Sequence, residues 1–177
     1  MHIEPTIAIR AYEVEDADAL FEAAVESIDS MYPWMPWCTP AYTPEEARAW
    51  VQMQVNAFRS RAQFEFVIVG RDGRFLGACG LNDIDGANRR ANLGYWVRAS
   101  AVGRGIASTA TRLLVRWAFE QTDFERLEVV VAAGNERSLA VAAKAGATRE
   151  GLLRNRLILH AQVHDAVMHS FVRGRDG

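Results

Sequence analysis

The sequence of 177 residues lacks most features that mark secreted or membrane proteins. Its two cysteines, Cys38 and Cys79, are too few for a disulfide framework and fit a reducing compartment. No apolar run is long enough to span a bilayer. The opening stretch MHIEPTIAIR lacks the basic and apolar regions of a secretory signal. We therefore expect a cytoplasmic protein that acts without a membrane.

The sequence also lacks an excess of either charge, because 20 Lys and Arg residues balance 22 Asp and Glu residues. Basic residues are dispersed and cluster only in short pairs such as Arg89-Arg90, which argues against a nucleic-acid partner. Repeats and low-complexity segments are absent as well. With 50% apolar residues the chain can bury a sizeable core, so we expect a single domain over residues 1–177.

Hydrophobic periodicity predicts strands and helices in mixed order. We expect strands at 6–12, 63–70, 75–84, 89–97, 126–133, 147–160 and 163–173. We expect helices at 16–28, from residue 44 onward, from residue 106 onward and at 135–146. Turn sequences at 71–74 and 85–88 join three central strands into an antiparallel meander. This order is typical of an α/β protein, with a mixed sheet and helices on both of its faces.

The stretch ASAVGRGIASTAT at 99–111 places Gly103 and Gly105 directly before a helical pattern. The first N–H groups of a helix have no partner within the helix and carry the positive end of its dipole. Glycines in front of them let the main chain close around a phosphate. A Walker loop is excluded because Ile106 follows Gly105 where lysine is required, and the preceding meander argues against a dinucleotide fold. The stretch therefore predicts a different kind of phosphate site.

These elements, in this order, resemble the GNAT acetyltransferases, which acylate amines with acetyl-CoA. The family's cofactor signature is similar to the stretch from Val102 to Ala107, although Val102 stands where relatives carry Gln or Arg. LGYWV (93–97) and NERSLAVAAKAGATREG (135–151) are similar to the neighbouring family segments. YPWMPW (32–37) resembles the ribosomal-protein-alanine N-acetyltransferase branch. The resemblance covers essentially the whole chain and implies the GNAT fold, a mixed, mostly antiparallel sheet of seven strands.

The resemblance also implies a coenzyme A site and no metal. The pyrophosphate would bind a loop whose residues are Gly103, Arg104, Gly105, Ile106, Ala107 and Ser108. Asn135 would cap the next helix and contact the cofactor. The strand LGYWV would separate from 126–133 and admit pantetheine, with a main-chain N–H near Tyr95, Trp96 or Val97 holding the thioester carbonyl. The two aromatic side chains are equally compatible with sheet packing.

Acetyl transfer needs a neutral amine, donors for the oxyanion and a proton for the leaving thiolate. Many relatives carry glutamate where this chain has Asn92, and tyrosine where it has Ala142. The candidate catalytic residues are therefore Asn92, acting through water, and Ser138, a serine earlier in the same helix. Asp83 and Asp85 are alternative bases through water, although turns also favour aspartate for structural reasons.

The remaining candidates are aromatic, thiol and imidazole side chains. Trp34 and Trp37 are expected to line the acceptor pocket, with capping of the core as the rival role. Cys38 lies among tryptophans and suits a small apolar filler better than a nucleophile. His160 and His164 lack the Cys or carboxylate cluster that a metal site needs.

The activity that the sequence favours is N-acetylation of a primary amine, first of all the N-terminus of a ribosomal or other protein. An α-amine, with a pKa of about 7.7–8.0, is easier to deprotonate without a strong base than lysine at about 10.4. Acetylation of a small-molecule amine is an alternative. A non-catalytic acyl-CoA sensor is another, favoured by Asn92 and Ala142. A homodimer is also compatible with the sequence.

Overall fold

The computed structural model describes residues 6–174, which form one sheet with helices packed against it. The strands are β1 (Ile7–Ala11), β2 (Phe64–Gly70), β3 (Phe75–Asp85), β4 (Arg90–Val97), β5 (Arg126–Ala132), β6 (Thr148–Leu159) and β7 (Gln162–Val172). The helices are α1 (Ala17–Glu26), α2 (Ile28–Met31), α3 (Pro44–Arg59), α4 (Ile106–Gln121) and α5 (Glu136–Ala145), with short 3-10 turns at Val14–Asp16 and Ala99–Ala101.

The seven described strands lie in the order β1-β2-β3-β4-β5-β7-β6. Strands β4 and β5 are parallel, and the other neighbouring pairs are antiparallel. The parallel pairing covers only Arg90–Asn92 against Arg126–Glu128. Beyond it the two strands separate and leave a gap at the centre of the sheet. The predicted mixed, mostly antiparallel sheet and its central meander are confirmed.

Helices cover both faces of the sheet, as predicted. Side chains alternate between the faces along each strand. On one face α4 packs against a large apolar cluster that includes Ile68, Leu93 and Leu127. On the other face α1 and α3 pack against a smaller cluster that includes Val67 and Ala78. The two faces therefore carry separate apolar cores, and the second lies beneath α1 and α3.

The predicted helix at 16–28 ends two residues early, at Glu26, and a short second helix follows. Ser27 interrupts it with φ −109° and ψ 2°. The Ser27 hydroxyl donates to the carbonyl of Ala23 at 2.6 Å and accepts from the N–H of Ala99 at 2.9 Å. This bond to a residue after β4 is a tertiary contact, which the local periodicity of the helix does not contain.

Helix α3 begins with the capping box that its sequence predicts. Thr43 accepts a hydrogen bond from the N–H of Glu46 at 3.2 Å, and Glu46 accepts one from the N–H of Thr43 at 2.8 Å. Pro44 occupies the first turn, where its missing N–H costs nothing. Such a cap stabilises a helix by about 1 kcal/mol. It fixes the start of the helix that covers the smaller apolar cluster.

Arg98, directly after β4, is 3% exposed and connects the end of this strand to α1. Its guanidinium donates to Glu26 at 2.9 Å, to Glu22 at 2.8 Å and to the carbonyl of Phe75 at 3.1 Å. Glu26 also accepts from the N–H of Ser100 at 2.6 Å. The bond from Arg98 is the main cause that lowers the pKa of Glu26 to about 2. These contacts position the chain where it enters the glycine loop.

Candidate active site

The glycine loop before α4 has a conformation that its glycines make accessible. Gly103 has φ 79° and Gly105 has φ 76°, in the left-handed region that residues with a Cβ rarely adopt. Gly105 is the N-cap of α4 and provides no side-chain cap. The Ser108 hydroxyl donates to the carbonyl of Gly105 at 3.0 Å. The N–H groups of Ile106 and Ala107 therefore stand at the start of α4 without a side-chain cap. This arrangement is typical of an anion site.

The gap between β4 and β5 exposes main-chain groups of β4. Arg98 donates its main-chain N–H to the carbonyl of Leu76 on β3 at 2.8 Å. Hydrogen-bonded residues alternate along an antiparallel ladder, so Trp96 pairs its main chain with β3 as well. Tyr95 and Val97 direct their main-chain N–H groups to the opposite side, into the gap. Of the three residues predicted near the thioester carbonyl, these two face the gap with their N–H groups.

A cavity of about 480 Å³, here called the groove, extends from this gap. Trp96, Val97 and Ala107 line one side of it, and the segment from 134 to 138 lines the other. Trp34 also lines the groove, and its ring lies close to Gly134, where an added Cβ would come within 3.5 Å of it. The groove thus holds Trp34 together with five of the predicted cofactor residues, Tyr95, Trp96, Val97, Ala107 and Asn135.

Two hydroxyl groups meet at the groove. The Tyr95 hydroxyl donates to the carbonyl of Ser138 at 2.8 Å, and the Ser138 hydroxyl donates to the Tyr95 oxygen at 3.2 Å. Burial is the main cause that raises the pKa of Tyr95. Asn135 accepts from the N–H of Ser138 at 3.1 Å and so caps α5, as predicted. Ala142, which stands where many relatives carry tyrosine, is fully buried, and Tyr95 and Ser138 supply the hydroxyl groups that line the groove here.

A second cavity of about 720 Å³, here called the aromatic cavity, lies between the sheet and helices α1 and α3. Aromatic side chains line it, namely Trp37, Tyr42, Trp50 and Trp96. Trp37 therefore lies here, whereas Trp34 lies in the groove. Met35, Tyr95 and Trp96 line both cavities, so the groove and the aromatic cavity meet at the gap beside β4.

The predicted catalytic residue Asn92 belongs to a chain of polar side chains on the side of the aromatic cavity. Asn92 donates to Asn82 at 2.9 Å, and Asn82 donates to the carboxylate of Glu65 at 3.4 Å. Glu65 is half-buried, and burial raises its pKa to about 7. Asn92 and Tyr95 stand an odd number of residues apart on β4, so their side chains point to opposite faces. The structure therefore does not bring Asn92 to Ser138.

Glu65 is the polar residue that the sequence analysis missed. It stands in QFEFVIVG, where its neighbours Phe64 and Phe66 are buried. One carboxylate in an otherwise apolar strand is a signal, but alternation alone assigns it equally well to a solvated face. The face of β2 that carries Glu65 is covered by α3 and by residues of α1, which only the packed structure shows.

The other sequence candidates lie outside both cavities. Asp83 is exposed with φ 47°, and Asp85 accepts two hydrogen bonds from Asn88, which are the main cause that lowers its pKa. Cys38 is buried, and burial raises the pKa of its thiol, which disfavours the nucleophilic thiolate. His160 donates to the carbonyl of Tyr32 at 2.7 Å. Within residues 6–174 no group of three or more His, Cys, Asp or Glu side chains could hold a metal ion.

Comparison with known proteins assigns the class to which this fold and site belong. The profile described as "Acetyltransferase (GNAT) domain" matches residues 6–148, so the chain belongs to the GNAT acetyltransferase family. It is an N-acetyltransferase that uses acetyl-CoA as its co-substrate. In the part of the chain that the structure describes, no helix is long and apolar enough to cross a membrane.

Particular relatives carry more specific names. YdaF of Bacillus subtilis (strain 168), named provisionally as a ribosomal N-acetyltransferase, is 31% identical over 170 residues, covering 94% of this chain and 91% of that protein. RimJ of Mycobacterium smegmatis in complex with CoA-disulfide has a TM-score of 0.85 and 26% identity, over 95% of this chain and 82% of that one. RimL, a ribosomal alpha-N-protein acetyltransferase solved with coenzyme A, shares the fold with a TM-score of 0.87 and 24% identity, over 94% of each chain.

Proposed function

We propose that this enzyme acetylates the α-amine at the N-terminus of a protein or peptide. Acetyl-CoA occupies the groove, the acceptor enters the aromatic cavity, and the reacting atoms meet at the gap beside β4. The observation that carries this proposal is that Met35, Tyr95 and Trp96 line both cavities. A thioester in one cavity and an amine in the other would then approach each other from opposite sides.

The phosphates of coenzyme A make the main contacts in this proposal. The N–H groups between Gly103 and Ser108 bind the pyrophosphate, supported by the left-handed glycines and the uncapped start of α4. The dipole contributes about 0.3–1 kcal/mol, so the hydrogen bonds supply most of the affinity. Arg104 is exposed on this loop and adds a positive charge. Asn135 lines the groove on the other side, where its amide N–H groups contact the cofactor.

The acetyl group is held by the main chain of β4. The N–H groups of Tyr95 and Val97 point into the gap, and one of them donates to the thioester oxygen as negative charge develops on it. The hydroxyl pair of Tyr95 and Ser138 lies at the same gap. During the reaction the Ser138 hydroxyl leaves the Tyr95 oxygen and donates a hydrogen bond to the leaving sulfur. This role for Ser138 replaces the tyrosine that many relatives carry at the position of Ala142.

The acceptor is a chain end in this proposal because of the shape of the aromatic cavity and the names of the relatives. A volume of about 720 Å³ is in the range of small-molecule sites and admits a few residues in extended form. Trp37 offers a large, rigid face to the acceptor side chain. Relatives named as ribosomal N-acetyltransferases support a protein acceptor.

A small polycationic amine is the second candidate acceptor. The charged side chains that line the aromatic cavity, Glu46 and Glu65, are both carboxylates. Their charge would suit a polyamine as well as a terminal ammonium group.

The test compares three acceptors by release of free thiol from acetyl-CoA. The first is a lysine-free peptide with a free N-terminus, the second is the same peptide with a blocked N-terminus and one internal lysine, and the third is spermidine. We expect the first peptide to react at least a hundred-fold faster than the second. Preference for the internal lysine would refute an α-amine acceptor, and preference for spermidine would establish the second candidate.

A further inference from the structure

We propose that Glu65 is the general base of this enzyme and takes the proton from the acceptor ammonium group in the aromatic cavity. This inference rests on the proposed function and adds to it the group that deprotonates the amine. It assigns the base to β2, because Asn92 on β4 cannot accept a proton near neutral pH.

The position of Glu65 is set by two glycines. Gly80 pairs with Glu65 across β2 and β3, and with Gly94 across β3 and β4. The Glu65 carboxylate lies directly over Gly80, where an added Cβ would stand 2.0 Å from one of its oxygens. Neither glycine has a side chain to fill the space, and Gly94 lines the aromatic cavity. The carboxylate therefore lies on a surface of main-chain atoms that continues from β3 to β4, the strand that borders the gap.

The distances suit a base that acts on an amine at this gap. Neighbouring strands lie about 4.8 Å apart. The Glu65 carboxylate lies over Gly80 on β3, so it is about one strand spacing from β4 at Gly94. An attacking nitrogen needs a base within about 3 Å on one side and the carbonyl carbon within about 3–3.5 Å on the other. The acceptor nitrogen bridges a separation of this size, directly or through one water molecule.

The surroundings keep Glu65 available for a proton. Its hydrogen-bond partner is the amide of Asn82, and the charged residues lining the cavity beside it include no cation. Burial raises the pKa of Glu65 to about 7, close to the value at which a base works best near neutral pH. The other carboxylate of the cavity, Glu46, is bound by the N–H of Thr43 at 2.8 Å in the capping box of α3.

The remaining titratable groups around Glu65 do not titrate near neutral pH. Burial raises the pKa of Tyr42 to about 12 and raises the pKa values of Tyr12, Cys79 and Tyr95 as well. These phenols and this thiol stay protonated at pH 7. A change in activity near pH 7 that arises in this cavity therefore belongs to Glu65.

Gln54 supplies an independent indication of a cationic ligand. It is buried, it lines the aromatic cavity, and among residues 6–174 its side-chain oxygen has no hydrogen-bond partner. A buried acceptor without a partner costs about 1–3 kcal/mol. An ammonium group has three donors, so one that enters this cavity can supply the partner that the Gln54 oxygen lacks.

The reaction balances with these groups. The ammonium proton moves to the Glu65 carboxylate, and the neutral amine nitrogen forms a bond with the acetyl carbon. The carbon–sulfur bond breaks, its electron pair stays on sulfur, and the second nitrogen proton passes to the thiolate. The products are the amide and coenzyme A with a free thiol, and Glu65 returns its proton to solvent.

The test replaces Glu65 by its isosteric amide, Glu65→Gln. We expect kcat/KM for the free-N-terminus peptide to fall about 10²–10⁴-fold. The rise of kcat/KM near pH 7 should disappear, leaving only the ionisation of the amine. Glu46→Gln is the matched control, because it removes the other carboxylate of the same cavity and glutamine still serves a capping box. That variant should keep the rise near pH 7.

A second variant displaces the carboxylate without removing its charge. Gly80→Ala places a Cβ against Glu65 and should lower kcat/KM in the same way. Coenzyme A affinity, measured by calorimetry, should be unchanged in both Glu65→Gln and Gly80→Ala. Infrared difference spectra between the wild type and Glu65→Gln should show a carboxyl group that titrates near pH 7, whatever the activity of the variant.

Three results would overturn parts of this assignment in distinguishable ways. Retention of kcat/KM and of the pH 7 rise in Glu65→Gln would reject Glu65 as the base and leave the proposed function intact. Absence of a carboxyl titration near pH 7 would also reject it. A wild-type enzyme that does not acetylate the free-N-terminus peptide would instead reject the proposed function, and this base with it.

Discussion

The substitution Gly105→Val tests the phosphate site most directly, because Gly105 has φ 76° at the start of α4. A residue with a Cβ in the left-handed region carries a strain of about 1–3 kcal/mol, and a β-branched side chain adds to it. The chain can relieve this strain by rotating away from the left-handed region. The first N–H groups of α4 would then turn away from the pyrophosphate.

The loss of affinity follows from the hydrogen bonds that are removed. A hydrogen bond to a charged group is worth about 1.5–3 kcal/mol. Loss of two such bonds costs about 3–6 kcal/mol, which corresponds to about 10²–10⁴-fold in Kd. We expect calorimetry with coenzyme A to show at least a hundred-fold weaker binding, and thermal unfolding to show that the variant remains folded.

Gly73→Val is the matched control. Gly73 has φ 79° in the turn between β2 and β3, and an added Cβ would meet nothing within 4 Å. The substitution therefore introduces the same backbone strain away from the groove. It should lower the melting temperature to a similar extent and leave coenzyme A affinity unchanged. Unchanged affinity in a folded Gly105→Val would refute the loop as the phosphate site. An equal loss in Gly73→Val would show that affinity follows stability instead.

Two further predictions concern the tryptophans and the ion pair beside the glycine loop. Trp37→Ala should raise the KM of the acceptor peptide several-fold and leave coenzyme A affinity unchanged. Trp34→Ala should instead weaken coenzyme A binding. Equal effects of both variants on both ligands would contradict the placement of the two rings in separate cavities. Arg98 is the main cause that lowers the pKa of Glu26 from its ordinary value of 4.5 to about 2 in the folded protein. The ionised form of Glu26 therefore stabilises the fold above pH 4.5, and this contribution is lost as the pH falls toward 2. Glu26→Gln should therefore lower the melting temperature at pH 7, with the difference from wild type shrinking between pH 4.5 and 2; a constant difference over that range would argue against the ion pair.

The sequence predicts most of the elements because their signals are local. The capping box at Thr43 and Glu46, the left-handed glycines of the loop and the N-cap at Asn135 depend on a few neighbouring residues. The strand order of the meander follows from short turns that leave little choice of partner. The family resemblance implied the rest of the topology, including the separation of β4 from β5, whereas the parallel pairing of these strands is seen in the structure.

The roles of polar residues within the site were harder to predict from the sequence. Asn92, acting through water, and Ser138 were both predicted to be catalytic. Side-chain alternation along β4 directs Asn92 to the face opposite Tyr95, and Tyr95 is the residue that contacts Ser138. The sequence analysis assigned Trp34 and Trp37 to one pocket, although the chain between them turns and their rings reach different cavities. The missing glutamate on β4 was visible from the sequence, while its candidate replacement on β2 was not.

The sequence, read with its family resemblance, therefore determined the order of strands and helices, the glycine loop before α4 and the class of reaction. Only the tertiary structure decided that Tyr95 meets Ser138, which lies 43 residues away, and that Glu65 lies over Gly80 in a cavity under α3. The physical reason is the range of the interactions. Helix caps and turns are fixed within a few residues, whereas cross-strand register and the face that a helix covers depend on how the whole chain packs.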